Sequence, residues 1–288
     1  MSIRLTTSAL LAALLLPAGM HAEYLITTPD SLLNNGADYL VITHDTFTTA
    51  CYPLCRLRDS LGLDVKMAQT SLIYSTFNSG PRTDRIKAFL QRVYDYWSVR
   101  PRFVLLVGDA SKDTTAGDFL PSKRFPKFSY GYAGGLTEHA IDNWYAQLAG
   151  QDSIPDIVIG RLPVNTVAAA ETLIAKILRY ESGVDTGPWL KTVLLPGSND
   201  RSPNADEIDS LFLRPMGDSA YKVYESQGSS AFLRHKMLVG FNQGASLVCQ
   251  CTHGAQPPAW VGSRTIFSYL DVDSLTNIGA LPIVLGRG

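Results

Sequence analysis

The chain is predicted to be an α/β protein of two subdomains, each built on a mostly parallel sheet. Two observations carry this reading. Short continuous apolar runs, such as Tyr39–Thr43 (YLVIT) and Phe103–Val107 (FVLLV), recur along the chain, as they do where helices cover both faces of a parallel strand. Between them lie segments with apolar residues at 3/4 spacing, the period of an amphipathic helix. Strands and helices therefore alternate. A polar, glycine-containing stretch at 183–188, GVDTGP, separates the two halves.

In chain order, residues 49–61 follow YLVIT with helical periodicity and stop at Gly62, a residue suited to a helix end. Residues 65–67 form a second strand. Residues 81–97 read as a helix with Ile86, Phe89, Leu90, Val93 and Trp97 on one face. FVLLV closes on Gly108-Asp109 and is followed by an irregular stretch, 110–141, long enough to be a functional loop or an insertion. Residues 157–160 are expected as another buried strand, and 166–181 as a helix. Past the boundary come a strand at 192–195, a helix at 206–216, a short strand at 222–224 and a helix at 230–242. The apolar strand 245–251, a short helical segment at 271–276 and a last strand at 282–285 complete the pattern. That last strand lacks the helix expected after it, so the second subdomain reads as incomplete.

Composition narrows the classes. With 25 basic and 26 acidic residues the net charge is −1, which gives no electrostatic case for a nucleic-acid partner. Residues 1–22 have the layout of a signal peptide: Arg4, an apolar core over 9–16, then Pro17-Ala18-Gly19 before His21-Ala22. That core is too short to span a bilayer, and no later segment is apolar enough to do so. The mature protein is therefore expected to be exported, with residues 23–185 and 186–288 as its two subdomains.

Four cysteines form two close pairs, Cys51 with Cys55 and Cys249 with Cys251. Inert buried thiols, a disulfide favoured by export and a zinc site that adds His253 are the competing readings. The pairs lack the usual spacing of zinc fingers or ribbons. Calcium is a further candidate, because 142–156 is rich in aspartate oxygens.

The strand at 245–251 runs into Thr252-His253-Gly254. A strand that stops there puts an imidazole at the carboxyl edge of a sheet, where open α/β folds bind ligands. Histidine is suited to proton transfer near neutral pH, and the Gly254 N–H could face a developing oxyanion. Asp200, in Ser198-Asn199-Asp200 after the strand at 192–195, could orient the imidazole as the acid of a triad does. The plainer readings are a structural histidine and aspartates that cap turns; they apply equally to Asp109 and His44. Cys251, about 6.6 Å from His253 along an extended strand, is a poor nucleophile for it, since Cys–His pairs come from separate strand ends. The chain carries no phosphate loop, dinucleotide glycine fingerprint or G-x-S-x-G elbow.

The series YLVITHDTF, RLRDSLGLDVK, FVLLVGDAS, DNWYAQLAGQD, PDIVIGRLPV and ILRYE, followed by GASLVCQCTHG and LTNIGALPIVL, resembles the gingipain family of cysteine peptidases in the same order. The resemblance spans about residues 39–285. It implies a caspase-like fold of two Rossmann-like subdomains, protein or peptide substrates, and a Cys–His dyad assisted by an acid. By position the histidine falls on His253, the oxyanion-hole donor on Gly254 and the acid on Asp200. Asp206, Glu207 and Asp209 fall near the specificity acid of the arginine-cleaving members, without a role being assigned. One glycine of the family's G-H-G context is Thr252 here. The resemblance places the nucleophilic cysteine just past the strand beginning at Pro282, and the sequence stops at Gly288, so the chain is expected to be a fragment without peptidase activity. A non-catalytic α/β surface or secretion-associated binding protein is the rival, and a metal-dependent hydrolase using Cys249, Cys251 and His253 is a third reading.

Overall fold

The computed structural model describes residues 23–111, 117–126, 138–255 and 259–286. The signal-peptide reading of 1–22, part of the long irregular stretch and the last two residues lie outside them. The chain folds as two compact units, Met1–Ser182 and Gly183–Gly288.

In the first unit, four parallel strands stand in the order β2-β1-β3-β6: Tyr39–Thr43 (β1), Val65–Gln69 (β2), Phe103–Val107 (β3) and Val158–Leu162 (β6). Helices cover both faces, which is why YLVIT and FVLLV are continuously apolar. Leu40, Ile42, Val104 and Leu106 face a cluster with Ile86, Phe89, Leu90 and Val93 of the helix Arg82–Tyr96 (α4). Val41, Met67 and Val107 face the opposite cluster, formed with Cys51, Leu54 and Cys55 of Thr48–Ser60 (α2) and Ala170 and Ile174 of Val167–Ser182 (α5). The short helices Pro29–Leu33 (α1) and Thr70–Thr76 (α3) add Leu32 and Ile73 to the first cluster.

Two expectations need correction here. The apolar run at 157–160 predicts a buried strand; β6 is an edge strand, and Val158 is 62% exposed. A continuous apolar run does not distinguish an edge from a centre, because position in the sheet is set by non-local pairing. The stretch 110–141 also contains regular structure, an antiparallel pair of Lys123–Pro126 (β4) with Glu138–Ile141 (β5). Its anchor is Arg161 of β6. The guanidinium donates to both carboxylate oxygens of Asp142, at 2.6 and 2.7 Å, and to the carbonyls of Gly108 and Leu120, each at 2.7 Å. Burial works against ionisation of Asp142, but the hydrogen bonds and charge of Arg161, with help from Ser122, hold its carboxyl below the usual carboxylate range.

The second unit has a four-stranded parallel sheet in the order β13-β9-β7-β8: Thr192–Gly197 (β7), Ser219–Tyr224 (β8), Leu247–Cys249 (β9) and Ile283–Leu285 (β13). One face packs Leu194, Val223 and Val248 against Leu233, Met237 and Phe241 of Ser230–Gln243 (α8). The other packs Val193, Leu195 and Cys251 against Ala205 and Leu213. The latter residues belong to a helical stretch made of Ser202–Ile208 (α6), a π-helical turn Asp209–Leu213 and Arg214–Met216 (α7). Beyond β9 the sequence pattern misses a small antiparallel sheet of His253–Ala255 (β10), Ala259–Val261 (β11) and Thr265–Ser268 (β12). Its strands are three or four residues long, too short for a period to show. Trp260 and Phe267 seat it on Phe241 of α8, with ring centroids 5.1 to 6.3 Å apart.

A carboxylate with a depressed pKa contributes stability that is present above its unfolded pKa and lost as pH falls through the folded one. The first unit should therefore lose stability on acidification below the ordinary aspartate pKa, about 3.9. Asp142→Ala should cost about 1.5–3 kcal/mol at neutral pH, the scale of a hydrogen bond to a charged group. Urea unfolding of both proteins at several pH values checks this, the expected result being a flatter acid limb in the variant.

Candidate active site

The parallel ladder between β7 and β9 gains one rung past the end of β9, at the last residue of β7. Cys251 N–H donates to the Pro196 carbonyl at 2.9 Å, and Ser198 N–H donates to the Cys251 carbonyl at 3.0 Å, bridging Gly197 and Cys251. Both chains then turn away from the sheet. Gly197 permits this turn, since a Cβ there would stand 3.1 Å from the Ser202 Cα and from the Tyr224 ring. Asp200 stands three residues past Gly197 and His253 two past Cys251, and their side chains meet with Nε2 of His253 2.8 Å from Oδ2 of Asp200. The pair lies at the carboxyl edge of the sheet, with the imidazole 41% and the carboxylate 60% exposed.

The other Asp200 oxygen accepts a 2.7 Å hydrogen bond from the Oγ of Ser198, which is fully buried. Ser198 first and His253 second hold the Asp200 carboxyl below the usual carboxylate range. Arg201 Nε stands 3.9 Å from the same Oδ2 as the imidazole. With Nε2 directed at the carboxylate, a neutral ring that carries its proton there has Nδ1 as its acceptor nitrogen. Gly254 follows in β10, exposed, and a Cβ built on it would meet nothing within 4 Å.

One detail of the sequence reading changes. His253 does not cap the parallel strand; that strand ends at Cys249, and His253 opens the antiparallel β10. Cys251 and His253 thus belong to different sheets, because the chain leaves the parallel ladder immediately after Cys251.

The remaining candidates fall into structural roles. Asp109 Oδ1 accepts the Ala110 N–H, and its carbonyl accepts from Leu120. His44 caps the turn Asp45–Phe47 by accepting the Thr46 N–H, and its ring lies edge-on to Phe119. Asp206 pairs with Lys222 and Tyr224, and the buried Asp209 pairs with Lys222 and Arg214. The acids considered for calcium are likewise engaged: Asp142 by Arg161, Asp152 by the Ile154 N–H, and Asp156 by the Leu148 and Ala149 N–H groups. Among the described residues no group of three His, Cys, Asp or Glu side chains is arranged to hold a metal ion.

All four cysteines are free. Cys51 and Cys55 are buried in α2, where burial pushes the Cys51 thiol up to about 11 and raises Cys55 further. Burial also raises Cys249 and Cys251. Sequence reasoning missed Ser198 as a partner of Asp200, although a serine two residues before an aspartate is a local pattern that could have suggested it.

The geometry defines an α/β protein with a His–carboxylate pair at a sheet edge, and comparison with solved structures specifies the fold. The crystal structure of the Arg specific cysteine proteinase gingipain R (RGPB) superposes with a TM-score of 0.67 at 21% identity, covering 90% of this chain and 55% of that one. A second structure, described as a protease, gives 0.63 at 20% identity, covering 90% and 52%. The fold is therefore caspase-like. The model of peptidase family C25 matches residues 32–288, and the chain belongs to that family of cysteine peptidases. Gingipain R2 and gingipain R1 of Porphyromonas gingivalis are each 26% identical over 231 residues, or 78% of this chain. The chain spans 28% of the length of the first and 21% of the second.

Replacing Ser198 by alanine removes the largest contribution to the low Asp200 pKa. The Asp200 carboxyl should then titrate at higher pH, closer to an ordinary aspartate, and carbon-detected NMR of the side-chain carboxyl measures the change.

Proposed function

We propose that this chain is the scaffold and proton-transfer half of an exported cysteine endopeptidase acting on protein or peptide substrates. The observation that carries the reading is the 2.8 Å contact of His253 Nε2 with Asp200 at the sheet edge of a C25-family chain. In the reaction, a cysteine thiolate attacks the substrate carbonyl. His253 takes the thiol proton on Nδ1 and returns it to the leaving amine, and Asp200 fixes the tautomer and stabilises the imidazolium. The Gly254 N–H donates to the oxyanion.

The nucleophile of that reaction is not among the four cysteines of this sequence. Catalytic thiols need a lowered pKa in electropositive, partly open surroundings, whereas burial raises all four here. Cys51 and Cys55 are also buried inside α2. The 288-residue chain by itself should not turn over peptides. A panel of fluorogenic peptides tests this, and hydrolysis that disappears in a His253→Ala variant overturns it.

Residues 1–22 support export. Expressed with its native start in a bacterial host, the protein should reach the exported fraction and begin at Glu23. Amino-terminal mass spectrometry reads this directly; a cytoplasmic protein that retains Met1–Ala22 would contradict it.

A further inference from the structure

Glu225 follows the last residue of β8 and is 2% exposed. Its Oε2 accepts the backbone N–H of Asn199 at 3.0 Å, and its Oε1 accepts the Ser263 hydroxyl. The backbone amides of Ser263 and Arg264 also favour its ionised form. Gly262 lets the turn close on this carboxylate: a Cβ at 262 would lie 2.1 Å from Oε2. The turn is secured on its far side by the Gly262 N–H to the Arg264 carbonyl, at 3.0 Å, and by Arg264 Nη1 to the Gly228 carbonyl, at 2.7 Å.

These contacts reach the His253–Asp200 pair from both sides by short routes. Asn199 is the residue before Asp200. Gly262 is the residue after Val261, and Val261 is the β11 partner of His253. A single buried carboxylate therefore links the turn that carries the acid to the hairpin that carries the base.

We propose that Glu225 is a positioning residue, which joins the Asn199 turn to the Gly262–Arg264 turn and thereby sets the separation of the Asp200 carboxylate and the His253 imidazole. The proposal rests on reading that pair as orienting acid and base. Burial disfavours the ionised form of Glu225, yet the Ser263, Asn199 and Arg264 donors outweigh it and hold the carboxyl below its usual range. The group is thus an anion whose acceptor positions are filled by donors from the two turns. Glu225→Gln replaces one acceptor oxygen by an amide that can only donate, so it faces either the Asn199 N–H or the donors of the second turn with the wrong polarity.

The test reads the imidazole itself. The ring-nitrogen NMR shifts of His253 are recorded in the 288-residue protein, in Asp200→Ala as the unpaired reference, and in Glu225→Gln and Ser263→Ala. A residue that only supports the fold would leave these shifts unchanged in a variant that remains folded. The expected result is that Glu225→Gln, with a dispersed amide spectrum, moves both ring nitrogens most of the way to the Asp200→Ala values, and that Ser263→Ala moves them part of the way. Wild-type ring shifts in a folded Glu225→Gln overturn the role of Glu225 alone. If Glu225→Gln does not fold, Ser263→Ala decides: unchanged shifts overturn the proposal. Identical spectra for wild type and Asp200→Ala would remove the pair itself, and the positioning role with it.

Discussion

The arrangement at the candidate site depends on one rung of parallel sheet. The two hydrogen bonds that join Cys251 to Pro196 and Ser198 lie past the end of β9, at the last residues of β7, and fix two chain exits side by side. Each exit then delivers its side chain within three residues, which is why a carboxylate and an imidazole 53 positions apart in sequence stand 2.8 Å from one another. The apolar layers below the sheet keep that rung in register. Val193, Leu195 and Cys251 on one face, and Leu194 and Val248 on the other, leave β7 and β9 no freedom to slip, because a one-residue shift would exchange core and surface faces.

Much of the fold was legible because it is written in local periodicity. YLVIT and FVLLV occur as strands at their expected bounds, and the helices α2, α4, α5 and α8 lie within a residue or two of the periodic stretches. The short antiparallel strands β10, β11 and β12 were not legible. Their stability comes from Trp260, Phe267 and Phe241 packing across 26 residues of chain, a non-local contact that no window reports. The edge position of β6 escaped for the same reason.

The site was legible in part. His253 and Asp200 could be named as strand-end residues of suitable chemistry, but nothing local says that their strands are neighbours. Adjacency is a property of the order β13-β9-β7-β8. Cys251 is close to His253 in sequence, yet two side chains on one strand are poorly placed to act as thiol and imidazole. The structure separates them, since Cys251 packs with Val193, Leu195 and Leu213 while His253 leaves for another sheet. Glu225 carries no sequence signal at all: a glutamate after a short strand looks like a solvated turn residue until the hairpin folds over it.

The carboxylates of the second unit separate by what holds them. Asp209, Asp271 and Glu225 are between 2% and 4% exposed. Asp209 is tied by Lys222 and Arg214, Asp271 by Arg234 and Ser268, and Glu225 by the donors of two turns. A buried anion so restrained cannot be reorganised without leaving charge or donors unpaired, which costs several kcal/mol, on the order of 3–5 for a broken buried pair. Such groups hold structure. Asp200 differs in each respect: it is exposed, it is anchored by a neutral serine, and its second oxygen meets the imidazole of His253. A carboxylate anchored on one oxygen and open on the other can keep an imidazole oriented while the ring gains and loses a proton. That contrast within one small unit is the physical support for the proposal that proton transfer belongs to Asp200 and His253 and not to the better-buried acids around them.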